Sequence, residues 1–98
     1  MLNGLYTDVS GNNWWYKDGK LHCEDGPAIK YVNGSEFWFL DGKQHRADGP
    51  ANVFADGRLT WFLHGEWLGG KANDFWKLWD RLTDEQRGNP NLLRYLPR

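Results

Sequence analysis

The sequence predicts an α+β fold that is mainly β: an antiparallel meander of 23-residue hairpin repeats with a C-terminal helical cap. Residue types recur at a fixed step, Asn-Gly and Asp-Gly pairs separate short aromatic segments, and the apolar period becomes helical near the C-terminus. We therefore expect a β-repeat region over residues 1–70 and a helical tail packed on it over residues 71–98, in a single domain.

The internal repeat rests on residues of several chemical types that share one step of 23 positions. The matching positions are Trp15, Trp38 and Trp61; Gly19, Gly42 and Gly65; Asp18 and Asp41; Lys20 and Lys43; and His22 and His45. The block Asp-Gly-Pro-Ala at 25–28 also returns at 48–51. So many coincidences in one register identify a repeat protein.

Each repeat is interpreted as one hairpin. Asn33-Gly34 and Asp56-Gly57 are typical of two-residue type I′ turns, and Ser10-Gly11 is a weaker equivalent. About six strands follow, pairing 5–9 with 12–17, 29–32 with 35–40, and 53–55 with 58–63. The segments 18–27 and 41–50 are expected to be links that end in proline, because proline cannot donate to a ladder.

Two-residue turns also predict which side chains share a face, because side chains alternate along a strand. The expected opposite pairs are Tyr6 with Trp15, Ile29 with Trp38, and Asn52 with Trp61. One face would carry Tyr6, Trp15, Ile29, Tyr31, Trp38, Leu40, Phe54, Leu59, Trp61 and Leu63. The other would carry Leu5, Val9, Trp14, Tyr16, Val32, Phe37, Phe39, Val53 and Phe62. Both faces are apolar, so either the tail or a partner is expected to cover the second.

The tail has helix signals after the hinge Gly69-Gly70. Asn73 is expected to cap a helix whose apolar stripe is Phe75, Leu78, Trp79 and Leu82. Thr83 with Gln86 resembles a capping box, and Asn89-Pro90 is typical of a helix start. The tail is expected to cap the last hairpin or to fold across one face, since an open strand edge invites aggregation.

Composition narrows the classes of function. The net charge is -1, which gives no basic field for nucleic acid, so no nucleic-acid partner is predicted. The only cysteine is Cys23, so no intrachain disulfide forms. The sequence shows neither a signal peptide nor a run of apolar residues long enough to cross a membrane. A cytoplasmic location is the expectation.

One cluster could bind a metal ion. It consists of His22, Cys23, Glu24 and Asp25, and His45 with Asp48 repeats part of it. The alternative, which we favour, is that these side chains form local hydrogen bonds that shape the loop before Gly-Pro. A structural zinc site needs four ligands, and Arg46 replaces Cys23 in the next repeat. No metal and no cofactor are therefore predicted.

Catalytic motifs are weak. Adjacent His22 and Cys23 would point apart in an extended loop, and no third group orients them. The chain has no phosphate loop, no nucleotide-binding glycine fingerprint and no nucleophile elbow. The prediction is that the protein is not an enzyme.

The 23-residue step, the Trp before an Asp-Gly-Lys turn and the His that follows the turn resemble MORN-type repeats, including the variant in bacterial and phage proteins. The matching segments are 15–22, 38–45 and 61–65, and the resemblance covers about residues 5–68. The common MORN pattern has glycines soon after the His, where this chain has Asp-Gly-Pro-Ala, and it divides the inter-turn spacing differently. The resemblance implies a scaffold that binds proteins or, in some members, lipid headgroups, and names no partner.

The predicted function is non-catalytic protein binding, and the hypothesis is a bacterial or phage factor that docks on and inhibits a larger host complex. Size and the absence of catalytic motifs motivate it. Lipid-headgroup or carbohydrate binding by the sheet is the alternative, and a homodimer through the spare apolar face is a further arrangement. The predicted binding residues are Trp14, Tyr16, Lys30, Phe37 and Phe39, with Trp76, which lies off the helical stripe, as a second anchor.

Overall fold

The computed structural model describes all 98 residues and confirms the predicted fold class, an antiparallel meander with a helical cap. The strands are β1 (Gly4–Thr7), β2 (Asn13–Lys17), β3 (Lys20–Leu21), β4 (Ile29–Lys30), β5 (Glu36–Phe37), β6 (Phe39–Leu40), β7 (Lys43–Gln44), β8 (Asn52–Val53), β9 (Leu59–Leu63) and β10 (Glu66–Gly69). The tail contains a 3₁₀ turn (Ala72–Asp74) and the helices α1 (Phe75–Trp79), α2 (Asp84–Arg87) and α3 (Pro90–Leu93).

One antiparallel sheet contains most of the strands. Its order is β1-β2-β4-β5-β8-β9-β10, and β3 pairs with β2 beside this path. Strands β6 and β7 form a separate ladder, because the chain leaves regular pairing at Trp38. The N–H of Trp38 nevertheless donates to the carbonyl of Ala51 at 2.7 Å, as the N–H of Trp15 does to Ala28 at 2.7 Å. The two repeats therefore keep the same backbone geometry at the tryptophan.

The hairpin loops contain three residues, and the predicted two-residue type I′ turns are wrong. At the second hairpin, Tyr31 N–H donates to the Ser35 carbonyl at 2.9 Å and Gly34 N–H donates to the Tyr31 carbonyl at 3.0 Å. Gly34 has a φ of 96°, whereas Asn33 does not have a positive φ. The Asn33 side chain accepts the Ser35 N–H at 2.8 Å, which favours a type I turn followed by a left-handed glycine.

The longer loops shift the register by one residue in all three hairpins. The predicted cross-strand partners of Tyr6, Ile29 and Asn52 are therefore wrong. In the structure, Tyr6 pairs with Trp14, Ile29 with Phe37, and Asn52 with Thr60. A shift of one residue moves a whole strand to the opposite face. Tyr6, Ile29, Tyr31 and Phe54 therefore share a face with Trp14 and Phe37, and Leu5 and Val53 change to the other face.

Type I′ turns do occur, but in the segments expected to be plain links. Both central residues have positive φ in Asp18-Gly19, in Asp41-Gly42 and in His64-Gly65. Each turn leads the chain back into a short strand, namely β3, β7 or β10. The first and third repeats therefore have three strands each, and the second has four because its middle strand is divided at Trp38 into β5 and β6. The expectation of about six strands is accordingly too low.

Backbone hydrogen bonds join each tight turn to the preceding repeat. The N–H of Gly42 donates to the Leu21 carbonyl and that of Gly65 to the Gln44 carbonyl, both at 2.8 Å. The N–H of Gly19 donates to the Leu2 carbonyl at 2.9 Å. The N-terminal residues thus replace a preceding repeat for the first turn.

A side chain supports the same turn in each repeat. Nδ1 of His22 accepts the Asp41 N–H at 3.0 Å, and Nδ1 of His45 accepts the His64 N–H at 2.9 Å. At the first turn, Oδ1 of Asn3 accepts the N–H of Asp18 at 2.9 Å. The repeated histidines therefore connect one repeat to the next.

The hydrophobic core lies between the last repeat and the tail. Its buried members are Trp61, Leu63, Leu68, Phe75, Leu78, Leu82 and Leu92. Trp61 is 0% exposed, packs edge-to-face on Phe75 and Tyr95, and donates from Nε1 to the Lys71 carbonyl at 2.9 Å. The tail therefore covers the face that carries Trp61.

Two predicted helix starts in the tail are confirmed, and one differs. Thr83 and Gln86 form the capping box of α2, and the Asn89 side chain accepts the Asn91 N–H at the start of α3. The expected cap Asn73 lies inside the 3₁₀ turn, which Lys71 precedes.

We expect Gly49→Ala to lower the melting temperature by several degrees. A Cβ at this position would lie 2.8 Å from Cζ of Arg46 and 2.9 Å from Cε2 of Tyr95, and such overpacking costs about 1–3 kcal/mol. Gly26→Ala is the matched control, because its Cβ would lie 3.8 Å from the nearest atom, Sγ of Cys23. Thermal denaturation of both variants checks this, and equal destabilisation would contradict it.

Stability should depend on the protonation of His45. Burial, and then the charge on His64, lower the pKa of His45 below its ordinary value of 6.5. The folded state therefore binds a proton at His45 less readily than the unfolded state does. The stability that neutral His45 contributes is complete above pH 6.5 and is lost as the pH falls through the folded-state pKa. We expect His45→Asn, which keeps an acceptor, to flatten the fall in melting temperature between about pH 7 and about pH 5. Identical pH profiles for the two proteins would refute this role.

Candidate protein-binding surface

One face of the sheet carries a layer of partly exposed aromatic side chains, which we name the aromatic face. Its members are Tyr6, Trp14, Tyr16, Tyr31, Phe37, Phe39, Phe54, Phe62 and Trp67. The core helices pack on the opposite face, where Trp61 and Leu63 are buried. The sheet therefore has one apolar face that the tail covers and a second, the aromatic face, that is half-buried.

Four rings at the centre of the aromatic face form a continuous edge-to-face row. The centroid distances are 5.8 Å from Trp14 to Tyr31, 5.5 Å from Tyr31 to Phe37, and 5.4 Å from Phe37 to Phe54. Each such pair contributes about 0.5–1.5 kcal/mol beyond burial. The rings therefore hold one another in place without a covering layer.

Further pairs extend the row at both ends. Tyr6 packs edge-to-face on Tyr16 at 5.7 Å, and Phe62 packs on Trp67 at 5.4 Å. Tyr6 is 42% exposed and Trp67 is 57% exposed. The ends of the aromatic face are thus more accessible than its half-buried centre.

A groove of about 340 Å³ lies at the N-terminal end of the aromatic face. Its lining residues are Leu2, Tyr6, Thr7, Asp8, Trp14 and Tyr16. Oδ2 of Asp8 accepts the Trp14 indole N–H at 3.0 Å. This bond, followed by the bond from the Asn12 backbone, lowers the pKa of Asp8, so the carboxylate is charged at neutral pH and fixes the indole orientation.

Four of the six predicted binding residues lie together on the aromatic face. Trp14 and Tyr16 line the groove, and Phe37 is in the central row. Phe39 pairs with Gln44 as Tyr16 pairs with Leu21, so Phe39 repeats the position of Tyr16. Whether these residues bind a partner stays a prediction.

The other two predicted residues lie elsewhere. Lys30 follows Ile29 in β4 and so belongs to the opposite face, where its ammonium is 3.9 Å from the Glu36 carboxylate. Trp76 is on α1, is 45% exposed, and packs edge-to-face on Phe75 and Trp79. The predicted set is therefore distributed over three parts of the molecule.

Sequence reasoning missed Tyr6, Tyr31 and Phe54 as members of the aromatic face. The two-residue turns placed them on the other side of the sheet. A usable signal was present, because Asn33 and Asp56 each precede the loop glycine and can accept an N–H two residues later. That bond favours the three-residue loop and hence the observed register.

The cluster around Cys23 forms local hydrogen bonds. Nδ1 of His22 accepts a backbone N–H, and its Nε2 lies 3.4 Å from Glu24. Burial raises the pKa of the Cys23 thiol, which is opposite to the shift that a nucleophilic cysteine needs. The structure groups no three His, Cys, Asp or Glu side chains in a way that could hold a metal ion.

Comparisons of the chain with protein-family models, with curated proteins and with solved structures gave no match. None of the helices has the length and apolar character needed to cross a membrane.

Proposed function

We propose that this chain is a non-catalytic protein-binding module of MORN-like repeats that docks on a larger protein complex through the aromatic face. We further propose that it is a bacterial or phage factor that inhibits its target by occupying that surface. The observation that carries the proposal is the continuous row of partly exposed rings on the face opposite the core helices.

The aromatic face has the physical properties of a protein-binding surface. Tyrosine and tryptophan are enriched among the residues that dominate binding energy. The edge-to-face contacts already restrict these rings, so a partner would cost them little further side-chain entropy. Asp8 near one end and Arg58, whose guanidinium lies 4.9 Å from the Phe54 ring, give the face a charged rim.

Carbohydrate binding is the second candidate, and the N-terminal groove favours it. Tyr6, Trp14 and Tyr16 supply ring surfaces there on which sugar rings can stack. The groove has no lysine or arginine in its lining, so a phosphate headgroup of a lipid lacks a cation to pair with. The carbohydrate alternative is therefore favoured over the lipid alternative for this groove.

We expect wild-type protein to retain a stoichiometric protein partner from a bacterial lysate, and Tyr6→Ala and Trp67→Ala each to weaken that complex about tenfold or more. Both side chains are exposed, so the fold should tolerate their loss. Trp76→Ala tests the second predicted anchor on the tail, and Leu96→Ala, which removes an exposed apolar side chain from the tail, is the control that should leave the affinity unchanged. Affinity measured with the purified partner checks the prediction.

Four results would oppose this proposal. Capture of no stoichiometric partner, or loss of binding in the Trp76 variant alone, would remove the aromatic face as the docking surface. A saturable change in tryptophan fluorescence with glycans, abolished by Tyr6→Ala, would support the carbohydrate alternative instead. A dimer detected by light scattering that Trp67→Ala dissociates would assign the face to self-association.

A further inference from the structure

The first two repeats have equivalent backbone hydrogen bonds. A side chain that is bound in the second repeat therefore identifies a comparable binding position in the first. The N–H of Cys23 donates to the Phe39 carbonyl at 3.1 Å, and the N–H of Arg46 donates to the Phe62 carbonyl at 3.2 Å. The tryptophan N–H bonds to alanine carbonyls also coincide, at 2.7 Å in both repeats. Cys23 and Arg46 therefore leave the backbone at equivalent places.

In the second repeat, the chain binds its own guanidinium group. Cζ of Arg46 lies 3.9 Å from the centre of the Trp38 ring. Its Nε donates to Oδ1 of Asp48 at 2.8 Å, and its Nη1 donates to the Pro50 carbonyl at 3.2 Å. Arg46 is only 9% exposed. An aromatic ring, a carboxylate and a carbonyl of the same repeat thus bind the guanidinium group, and the Tyr95 ring of the tail also lies 5.5 Å from Cζ.

The first repeat keeps the three receiving residues and lacks the arginine. Trp15, Asp25 and Pro27 take the positions of Trp38, Asp48 and Pro50. They line one groove of about 300 Å³, and Trp15 is 39% exposed. The full lining of the groove is Asn13, Trp15, Cys23, Asp25, Gly26, Pro27, Lys30 and Glu36.

The space filled by the guanidinium in the second repeat is open in the first. A Cβ on Gly49 would lie 2.8 Å from Cζ of Arg46, whereas a Cβ on Gly26 would meet only Sγ of Cys23, at 3.8 Å. Lys30 does not occupy this space as a substitute, since its side chain is 60% exposed and its ammonium pairs with Glu36 at 3.9 Å. Sγ of Cys23 lies 3.5 Å from Oδ1 of Asp25, which leaves Oδ2 of that carboxylate free for a donor.

We infer that this groove binds the side chain of an arginine presented by a protein partner. Trp15 would stack on the guanidinium, the Asp25 carboxylate would accept its N–H groups, and the Pro27 carbonyl would accept one more. Within the lining, Glu36 offsets the charge of Lys30, and Glu24, which lies beside Trp15 and Asp25, adds negative charge next to the groove. The inference rests on the proposed protein-binding function for the source of the arginine, but the groove lies on the opposite face of the sheet from the aromatic face.

The test titrates ¹⁵N-labelled protein with acetyl-arginine amide and follows the indole N–H resonance of Trp15. We expect saturable binding of the arginine amide in the millimolar range. The lysine amide acetylated on its α-amino group has the same charge but no planar guanidinium, and we expect it to bind at least about tenfold more weakly. Asp25→Asn should reduce arginine binding about tenfold or more. Asp80→Asn, an exposed acid on the tail, should leave it unchanged.

Cys23→Arg tests the internal comparison directly. The new side chain should fill the groove, abolish binding of the arginine amide and raise the melting temperature. Absence of saturable binding to wild-type protein, equal affinity for the lysine amide, or full binding by the Cys23→Arg variant would each overturn the inference. Tyr6→Ala should bind the arginine amide normally, so failure of the docking proposal and failure of this one give different results.

Discussion

The backbone hydrogen bond from each tight turn to the repeat before it is the constraint on which the rest of the structure depends. Gly19, Gly42 and Gly65 all donate to a carbonyl of the preceding segment, at 2.8–2.9 Å. This bond fixes the translation between repeats whatever side chains the repeats carry. Equivalent positions are therefore stacked along the sheet, and a row of rings on one face follows from the repetition of aromatic residues at those positions.

The first and last repeats of the array are covered in different ways. At the N-terminus, Asn3 and the Leu2 carbonyl satisfy only the polar groups of the first turn. At the C-terminus, the tail supplies apolar cover, and Trp61 is completely buried. Exposure on that face therefore rises towards the N-terminus, from Trp61 through the half-buried Trp38 to Trp15.

Local signals explain what could be predicted from the sequence. The 23-residue step predicts the repeat, and Thr83 with Gln86 and Asn89 with Pro90 predict helix starts, because each depends only on neighbours in the chain. The register could not be fixed in the same way. Asn33-Gly34 fits both a two-residue and a three-residue loop, and the side-chain bond to Ser35 selects the longer one.

The same limit applies to the candidate sites. The sequence predicts that Trp14 and Phe37 share a face, because both follow their hairpin loop and alternate in the same way. Tyr31 and Phe54 precede their loops, so the one-residue change of register brings them to the face of Trp14 and Phe37. Lys30 moved as well, to the face that holds the arginine groove. The difference between Cys23 and Arg46 is visible in the sequence, but its meaning depends on the guanidinium seen against Trp38.

The groove beside Trp15, which we propose binds a partner's arginine, is the first-repeat counterpart of the Arg46 site. An arginine at position 23 would cover the Trp15 ring and bond to Asp25, as Arg46 covers Trp38 and bonds to Asp48. The chain instead leaves a partly exposed tryptophan beside a carboxylate and a carbonyl. Because Trp14 and Trp15 are adjacent in β2, the aromatic face and the groove lie on opposite faces of the same strand, with only β1 between that strand and the N-terminal edge of the sheet. A single partner that used both surfaces would therefore have to reach around that edge.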